Sequence, residues 1–284
     1  RAVLLAHPAG HSASPAMHGA AFQALGIDAG YEAWDVPPAA LEATVAQLRE
    51  AGMLGANVSV PHKETVGTHL DGLRDAARAV GAVNLIVREG GRLVGDNSDA
   101  AGFAGALQEA GVDVPGRRAV LLGAGGAARA VAWSLLQDGV AEIAMLNRTR
   151  ERAEALLQAF AEGAGEDQLR VIDDPRDAMG SDLWVQTTTL GMQQGGRNPE
   201  TTPIDEAAWG ALLAGARDPV AVDVVYRPRV TPFLRHAAAA GARTVDGAGM
   251  LLHQGVVAFE AWTGREAPLE VMRRALQGAL QEGN

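Results

Sequence analysis

The fold is decided at Ala119-Val120-Leu121-Leu122-Gly123-Ala124-Gly125-Gly126-Ala127-Ala128. A short apolar run, typical of a buried strand, leads into a glycine-rich turn that fits the pattern G-x-G-x-x-G/A and opens a helical pattern. Glycine permits the tight turn and lets backbone N–H groups approach a pyrophosphate, which the helix dipole also favours. The stretch predicts the first strand, turn and helix of a Rossmann-type dinucleotide-binding domain, although the motif alone also fits a plain strand–helix turn.

Outward from this stretch, apolar runs of strand length alternate with longer helical patterns along the whole chain. Strands are predicted at residues 3–6, 31–36, 54–59, 83–88, 92–96, 119–122, 142–147, 183–187 and 220–225. Helices are predicted at residues 15–25, 39–51, 100–110, 127–137, 151–161, 237–240, 250–262 and 269–280, and a mobile loop at residues 195–202. The alternation predicts an α/β fold with parallel sheets, and Glu89-Gly90-Gly91 indicates a hairpin. We predict two domains, residues 1–100 and residues 101–247.

The composition is that of a globular protein long enough for two domains, with 284 residues, 48% hydrophobic and 20% charged. No apolar run approaches the ~18 residues that span a bilayer, and no signal peptide is predicted. The net charge of −10 argues against nucleic acid as a partner. The absence of cysteine excludes disulfides, thiol catalysis and cysteine metal sites, and it fits a cytoplasmic protein.

The strand after the glycine-rich turn and its helix ends at Asn147-Arg148-Thr149. An enzyme that uses NAD carries Asp or Glu about twenty residues after the turn, for the ribose hydroxyls, and this chain has no acid there. Arg148 and Thr149 can instead bind a 2′-phosphate, and Arg152 follows one helical turn later, because the planar fork of arginine suits phosphate. The pattern predicts NADP(H); the alternative is a solvated helix start capped by Thr149.

Two serines near the start of the chain, Ser12 and Ser14, precede Pro15. Serine before proline is typical of an N-cap followed by the first helical residue, so Ser14 is predicted to cap a helix. The same geometry makes an anion site from two hydroxyls and free N–H groups. The nearby histidines, His7, His11 and His18, are not predicted to bind metal, because Pro8 and Gly10 break any helix that would align the first two, and no acidic cluster accompanies them.

Lys63 follows Pro61, which predicts that it lies at the start of a helix. The helix dipole disfavours a cation there, so a plain surface lysine is a less natural interpretation. Asp99 is the candidate partner, and a lysine with a carboxylate can supply and orient the proton that ketone reduction needs. From the residues alone, one alternative fits equally well: Lys63 is solvated, and Asp99 only caps the helix predicted from residue 100.

The order of these motifs resembles the shikimate dehydrogenase family over nearly the whole chain. The resemblance lies in Ser12-Ala13-Ser14-Pro15, Asn57-Val58-Ser59-Val60-Pro61-His62-Lys63, Gly81-Ala82-Val83-Asn84, Asn97-Ser98-Asp99, the glycine-rich turn, Asn147-Arg148-Thr149, Thr187-Thr188-Thr189-Leu190-Gly191, Asp223-Val224-Val225-Tyr226 and Gly249-Met250-Leu251-Leu252-His253-Gln254. It implies an N-terminal α/β substrate domain and a Rossmann-type NADP-binding domain. Because Gln254 is a substrate residue in that pattern, residues 248–284 are expected to return to the first domain.

The resemblance also implies a role for each matching residue. Proton transfer is assigned to Lys63 and Asp99. The substrate carboxylate is assigned to Ser12, Ser14 and Tyr226, and the ring hydroxyls to Ser59, Asn84, Asp99 and Gln254. The cofactor is assigned to Gly123, Ala124, Gly125, Gly126, Ala127, Asn147, Arg148, Thr149, Arg152, Thr188 and Gly249.

The expected activity is reversible NADP-dependent reduction of 3-dehydroshikimate to shikimate, in chorismate and aromatic amino-acid biosynthesis, with a homodimer as a compatible assembly. The alternatives are a quinate/shikimate or aminoshikimate dehydrogenase and a non-enzymatic NADP-binding sensor, which would not need Lys63 and Asp99. The chain departs from the family pattern at several positions, which leave substrate preference open. These positions are His7, Gly19, Ser59, Leu85, Ser98, Gln186 and Thr189.

Overall fold

The structure is a computed structural model that describes residues 1–10, 12–165, 167–193 and 198–282. Its strands are β1 (Ala2–Ala6), β2 (Tyr31–Asp35), β3 (Gly55–Val58), β4 (Gly72–Leu73), β5 (Leu85–Glu89), β6 (Arg92–Asp96), β7 (Arg118–Leu122), β8 (Glu142–Leu146), β9 (Leu169–Ile172), β10 (Leu183–Gln186), β11 (Val220–Asp223) and β12 (Arg243–Val245). Its helices are α1 (Ser14–Ala24), α2 (Leu41–Gln47), α3 (Asp75–Val80), α4 (Asp99–Glu109), α5 (Gly126–Gln137), α6 (Arg150–Gln158), α7 (Trp209–Leu212), α8 (Pro232–Ala239), α9 (Gly247–Thr263) and α10 (Leu269–Glu282).

The chain forms two compact units, one of Arg1–Gly102 with Leu251–Asn284 and one of Phe103–Met250. The predicted α/β class is confirmed, and the C-terminal segment belongs to the first unit as expected. The first unit holds a six-stranded sheet of order β2-β1-β3-β5-β6-β4. β1 pairs in parallel with β2 and β3, whereas β5 and β6 form the predicted antiparallel hairpin, so this sheet is mixed rather than parallel throughout.

The second unit holds a six-stranded sheet of order β12-β11-β10-β7-β8-β9, in which every pair of neighbours is parallel. Both of its faces are buried: Leu121 and Met145 belong to one apolar cluster, and Val120 and Trp184 belong to another. Parallel strands covered on both faces read as continuous apolar runs, which is why the sequence predicted them well. On one side of the sheet the chain runs outward from β7 through β8 to β9, and on the other side it runs outward from β10 through β11 to β12. The direction of the strand order therefore reverses between β7 and β10.

The sequence missed three strands, β4, β9 and β12, and two short helices, α3 and α7. All three missed strands lie at an edge of their sheet, where one side of the strand is unpaired and polar residues are tolerated. The helix predicted at residues 39–51 is also shorter, since α2 ends at Gln47. Within the predicted loop 195–202, residues 195–197 lie outside the described residues. Among the described helices, none is long and apolar enough to cross a membrane.

Candidate active site

A buried ion pair joins the two residues singled out for proton transfer. Lys63 Nζ lies 2.5 Å from Asp99 Oδ2, and the two side chains are only 16% and 7% exposed. An ion pair so little exposed is screened much less than a surface pair. The arrangement holds an ammonium group, which has three donors, at a fixed point beside a carboxylate.

The Lys63 backbone lies in the turn that follows β3, not at the start of a helix as predicted. The turn leads into a short 3-10 helix, Val66–His69, and the N–H of Val83 donates to the Lys63 carbonyl. Pro61 therefore ends the strand segment without starting an α-helix. The buried imidazole of His62 contacts the carbonyl of Val36 through Nε2 at 2.7 Å, which anchors the same turn to the end of β2.

Asp99 is the first residue of α4, but it does not cap that helix. The side-chain oxygen of Asn97 accepts the N–H groups of Asp99 and Ala100, at 3.1 and 3.4 Å. The alternative in which Asp99 serves only as a cap is therefore wrong. Both of its carboxylate oxygens have other partners. Oδ2 pairs with Lys63 Nζ, and Oδ1 accepts a hydrogen bond from Asn84 Nδ2 at 2.8 Å.

Asn84 organises this site from the loop before β5. Its Oδ1 accepts the Ser98 N–H at 2.6 Å, which leaves Nδ2 facing the Ser98 hydroxyl and Asp99. The Ser98 hydroxyl is thus part of the buried network. Deeper in the unit, Tyr31 donates to Asn57 Oδ1 at 2.8 Å, and Asn57 Nδ2 donates to the Asn84 carbonyl at 3.4 Å.

The serine pair does not have the predicted capping pattern. Ser14 is the first residue of α1, Ala13 occupies the N-cap position, and Ser12 Oγ accepts the Ser14 N–H at 3.2 Å. Ser12 therefore binds the backbone at the first residue of the helix, and neither serine is the N-cap residue. The Ser14 side chain is buried and Ser12 is half-buried, and both belong to the unit that contains Lys63 and Asp99.

The remaining predicted substrate residues fall in both units. Ser59, just after β3, and Gln254, in α9, belong to the first unit; Gln254 is buried and its Nε2 donates to the Leu251 carbonyl at 2.8 Å. Tyr226 belongs to the second unit, and burial raises the pKa of its phenol. Its predicted place near the substrate carboxylate stays a prediction.

The glycine-rich turn connects β7 to α5, as the sequence predicted. Gly123 has a φ of +114°, and a Cβ there would lie 2.7 Å from Thr187 Oγ1, so the fold itself requires this glycine. A Cβ on Gly125 would instead meet nothing within 4 Å. α5 begins at Gly126 without a side-chain cap, so the first N–H groups of the helix are available to an anion. This open, uncapped turn fits the pyrophosphate of a dinucleotide.

The end of β8 presents the predicted basic residues. Arg148, Thr149 and Arg152 are exposed, and Asn147 Nδ2 donates to the Thr149 carbonyl at 2.7 Å. Thr149 is the N-cap residue of α6, but its side chain makes no capping hydrogen bond. The neighbouring Arg150 is held by two carboxylates, Glu154 at 2.8 Å and Asp173 at 2.6 Å.

Two further predicted cofactor residues, Thr188 and Gly249, have structural contacts of their own. Thr188 Oγ1 accepts the Leu190 N–H at 3.1 Å in the turn after β10. A Cβ on Gly249 would lie 3.2 Å from the Cβ of Ala106, so this glycine lets α9 approach α4 closely. Ala124 directly precedes the open Gly125 position, and Ala127 lies two residues after it.

Three family models match the chain. They are the shikimate dehydrogenase substrate binding domain at residues 4–86, the shikimate/quinate 5-dehydrogenase model at residues 106–175 and the shikimate 5′-dehydrogenase C-terminal domain at residues 247–281. Shikimate dehydrogenase (NADP(+)) of Symbiobacterium thermophilum is 48% identical over 98% of the chain and 94% of its own length. The chain belongs to the shikimate dehydrogenase family.

Other members of the family agree with this assignment. Shikimate dehydrogenase (NADP(+)) of Moorella thermoacetica is 45% identical over 98% of the chain and 92% of its own length. The shikimate 5-dehydrogenase of Thermus thermophilus, solved with NADP(H) and shikimate, is 39% identical with a TM-score of 0.86 and 99% coverage of both chains. The fold is also that of 5-ketofructose reductase from Gluconobacter sp. strain CHM43, at 32% identity, TM-score 0.82 and coverage of 98% of this chain and 97% of that one.

In this member of the family, the histidines near the N-terminus are used in different ways. His7 Nδ1 lies 2.9 Å from Asp35 Oδ1, and His11 lies outside the described residues. His18 is fully buried and stacks on Tyr31 at 4.5 Å, and burial lowers its pKa to about 3. Among the residues with described positions, no three His, Asp or Glu side chains are grouped so that they could hold a metal ion.

Sequence reasoning missed several buried polar residues, which are Asn97, Tyr31 and His62 in the unit of Lys63, and Asp223 in the second unit. Asp223 is fully buried at the end of β11, three residues before Tyr226. It accepts hydrogen bonds from the Thr231 hydroxyl at 2.6 Å and the Val225 N–H at 2.9 Å. The available signal was an aspartate within the apolar run predicted as a strand at residues 220–225, which is an unusual place for a solvated carboxylate.

Burial raises the pKa of the Asp223 carboxyl from 3.8 to about 7. The folded chain therefore holds this proton more tightly than the unfolded chain, and the contribution of Asp223 to stability falls as the pH rises from about 4 to about 7, by up to roughly 4 kcal/mol. Asn at this position has no charge to bury. We expect the melting temperature of Asp223→Asn to improve relative to the unsubstituted protein as the pH is raised through that window. Parallel melting curves against pH would contradict this assignment.

Proposed function

We propose that this chain catalyses the reversible NADPH-dependent reduction of 3-dehydroshikimate to shikimate, a step of chorismate and aromatic amino-acid biosynthesis. The observation that carries the proposal is the Lys63–Asp99 pair, with Asn84 fixing the other carboxylate oxygen. Relatives that cover nearly the whole chain are named shikimate dehydrogenase (NADP(+)), which supports the substrate and the cofactor.

The identity of residue 63 adds support. Of the 24 lysine and arginine residues, Lys63 is the only lysine, so every other basic side chain is arginine. Arginine supplies a permanent charge but does not release a proton in proteins, whereas the ammonium of lysine can. If position 63 needed only a positive charge, an arginine would serve there, as it does at every other basic position. We therefore assign to Lys63 a role that involves giving up a proton.

In the proposed reaction, bound NADPH supplies the hydride to the ketone carbon. Lys63 Nζ donates a proton to the carbonyl oxygen as negative charge develops on it, and the reverse reaction returns that proton to the amine. Asp99 Oδ2 holds Nζ in position, and the bond from Asn84 keeps the carboxylate from rotating away. A buried site favours this transfer, because water does not compete for the donor.

Substrate recognition is assigned to polar side chains that match the family pattern. We propose that Ser12 and Ser14 bind the substrate carboxylate, and Tyr226 keeps its predicted assignment to that group. Ser59, Asn84, Asp99 and Gln254 would bind ring hydroxyls. On this proposal residues 1–100 with 248–284 are the substrate domain and residues 101–247 are the NADP-binding domain.

The cofactor is assigned to the second unit. Backbone N–H groups of Gly123 to Ala127 would bind the pyrophosphate, with Thr188 and Gly249 beside it. Asn147, Arg148, Thr149 and Arg152 would bind the ribose end with its 2′-phosphate. Arg148 is the arginine we expect to contribute most, because its guanidinium makes no hydrogen bond or ion pair to the described part of the chain.

Arg148→Ala is expected to raise the Michaelis constant for NADP by about 10- to 100-fold, since a charge-assisted contact is worth about 1.5–3 kcal/mol. The constant for NAD should hardly change. Arg150→Ala is the matched control, because its guanidinium is already neutralised by Glu154 and Asp173. Equal use of NADP and NAD by the unsubstituted protein, or equal effects of both substitutions, would refute the assignment.

The direct test of the function is absorbance at 340 nm with shikimate and each cofactor. Quinate and aminoshikimate test the same-family alternatives, and 5-ketofructose tests the activity named for the Gluconobacter relative. Binding of NADPH with no turnover of any of these substrates would favour a non-enzymatic sensor. The cytoplasmic location and the homodimer stay predictions.

A further inference from the structure

The turn after β10 lies where a Rossmann-type sheet binds its ligand. β10 and β7 are neighbours in the sheet, and the strand order reverses between them. Ligands of open parallel sheets bind outside the carboxyl ends of the strands at such a reversal. The glycine-rich turn follows β7, and the turn Thr187-Thr188-Thr189-Leu190 follows β10, so the two turns flank this point together.

The two turns are in direct contact. A Cβ on Gly123 would lie 2.7 Å from Thr187 Oγ1 and 2.9 Å from Thr188 Cγ2. The side chains of Thr187 and Thr188 lie directly against Gly123, so the turn after β10 and the glycine-rich turn pack on each other. The position of Thr187 is fixed by two bonds to the Leu122 carbonyl, from its N–H at 2.9 Å and its hydroxyl at 2.8 Å.

The turn after β10 is shaped by one buried side chain, Gln186, the last residue of that strand. Its Oε1 accepts the Thr188 N–H at 2.5 Å, and its Nε2 donates to the Leu190 carbonyl at 3.0 Å. The residue is fully buried, and both ends of its amide are used within the turn. An apolar side chain here would leave the Thr188 N–H and the Leu190 carbonyl without these partners.

We propose that Gln186 is a positioning residue for the dinucleotide: it fixes the turn after β10 against the glycine-rich turn, and so sets the shape of the cofactor site. The proposal rests on the proposed binding of NADP(H). It gives a function to one of the departures from the family pattern, in which asparagine is usual. Asparagine can accept the N–H two residues later, as in an Asx-turn, but it is one methylene shorter.

The test is a fluorescence titration of NADPH binding, which needs no turnover. Gln186→Met keeps the length of the side chain and removes both hydrogen bonds, and it should weaken NADPH binding about tenfold. Gln186→Asn should keep the bond to Thr188, lose the bond to Leu190 and weaken binding about threefold.

Asp182→Asn is the matched control at the opposite end of the same strand. Asp182 directly precedes β10, is buried, and accepts the Arg217 and Arg118 N–H groups at 2.7 and 3.2 Å. Its substitution should lower the melting temperature while the dissociation constant for NADPH stays within about twofold.

Wild-type affinity in Gln186→Met, or equal weakening by Asp182→Asn, would overturn the positioning role and leave the proposed function standing. If Gln186→Met does not fold, wild-type affinity in Gln186→Asn overturns it instead. If the unsubstituted protein does not bind NADPH, the positioning role and the proposed function both fail.

Discussion

Lys63→Ala is expected to lower kcat by about 10²–10⁴-fold with a much smaller change in the Michaelis constant for shikimate, because a general acid–base group acts mainly in the transition state. Lys63→Arg should be almost as slow. Arginine keeps the positive charge and can still pair with Asp99, but it cannot release a proton. Steady-state rates at 340 nm with saturating shikimate and NADP measure both variants.

Asp99→Asn is the companion variant, and its kinetic defect should differ from that of the Lys63 variants. It removes the partner of the Lys63 ammonium and also alters a proposed substrate contact, so kcat should fall and the Michaelis constant for shikimate should rise. NADPH binding should be unchanged in all three variants, which checks that the second unit is intact. Near-normal turnover in Lys63→Ala would assign proton transfer to water or another residue, and normal turnover in Lys63→Arg would reduce the role of Lys63 to its charge.

The second large effect is expected at the serine pair. Removing both hydroxyls, in Ser12→Ala with Ser14→Ala, should raise the Michaelis constant for shikimate by roughly 10²–10⁴-fold, since each hydrogen bond to a charged group is worth about 1.5–3 kcal/mol. Affinity for NADPH should stay close to normal. The measurements are shikimate saturation kinetics and a fluorescence titration of NADPH.

The structure also determines which control this experiment needs. Ser12 Oγ accepts the Ser14 N–H, so Ser12→Ala alone carries a local cost of about 0.5–1.5 kcal/mol in stability. Ser14 makes no such capping bond, so Ser14→Ala separates the loss of substrate binding from a folding defect. A double variant that folds, binds NADPH and handles shikimate normally would place the carboxylate site elsewhere.

The parts of the fold that could be predicted are those whose burial is uniform. β7, β10 and β11 are covered on both faces and read as apolar runs, and the glycine-rich turn marks where the first of them ends. β9, with Arg170 at its centre, and β12, with only one apolar residue, lie at sheet edges and give no comparable signal.

At the candidate site, the sequence indicated the residue types but not their contacts. Lys63 and Asp99 could be proposed as partners because ketone reduction needs a proton donor, yet they lie 36 residues apart and no local signal marks their pairing. Capping was assigned to the wrong residues, because Ser12 and Asn97 each lie two residues before the residue predicted to be the cap. These hydrogen bonds depend on the conformation of the loop before each helix, and the pattern of side chains along the sequence does not determine that conformation.

The single lysine of this chain gives the proposed active site a chemical label that no other side chain shares. Besides the amino terminus, the Lys63 ammonium is the only primary amine, and its side chain is 16% exposed. An amine-directed reagent therefore has one internal target, so the stoichiometry of its incorporation counts functional sites directly. If Lys63 has the proposed role, acylation of its side chain inactivates every molecule that carries the modification, and the sequence contains no second lysine to consume the reagent.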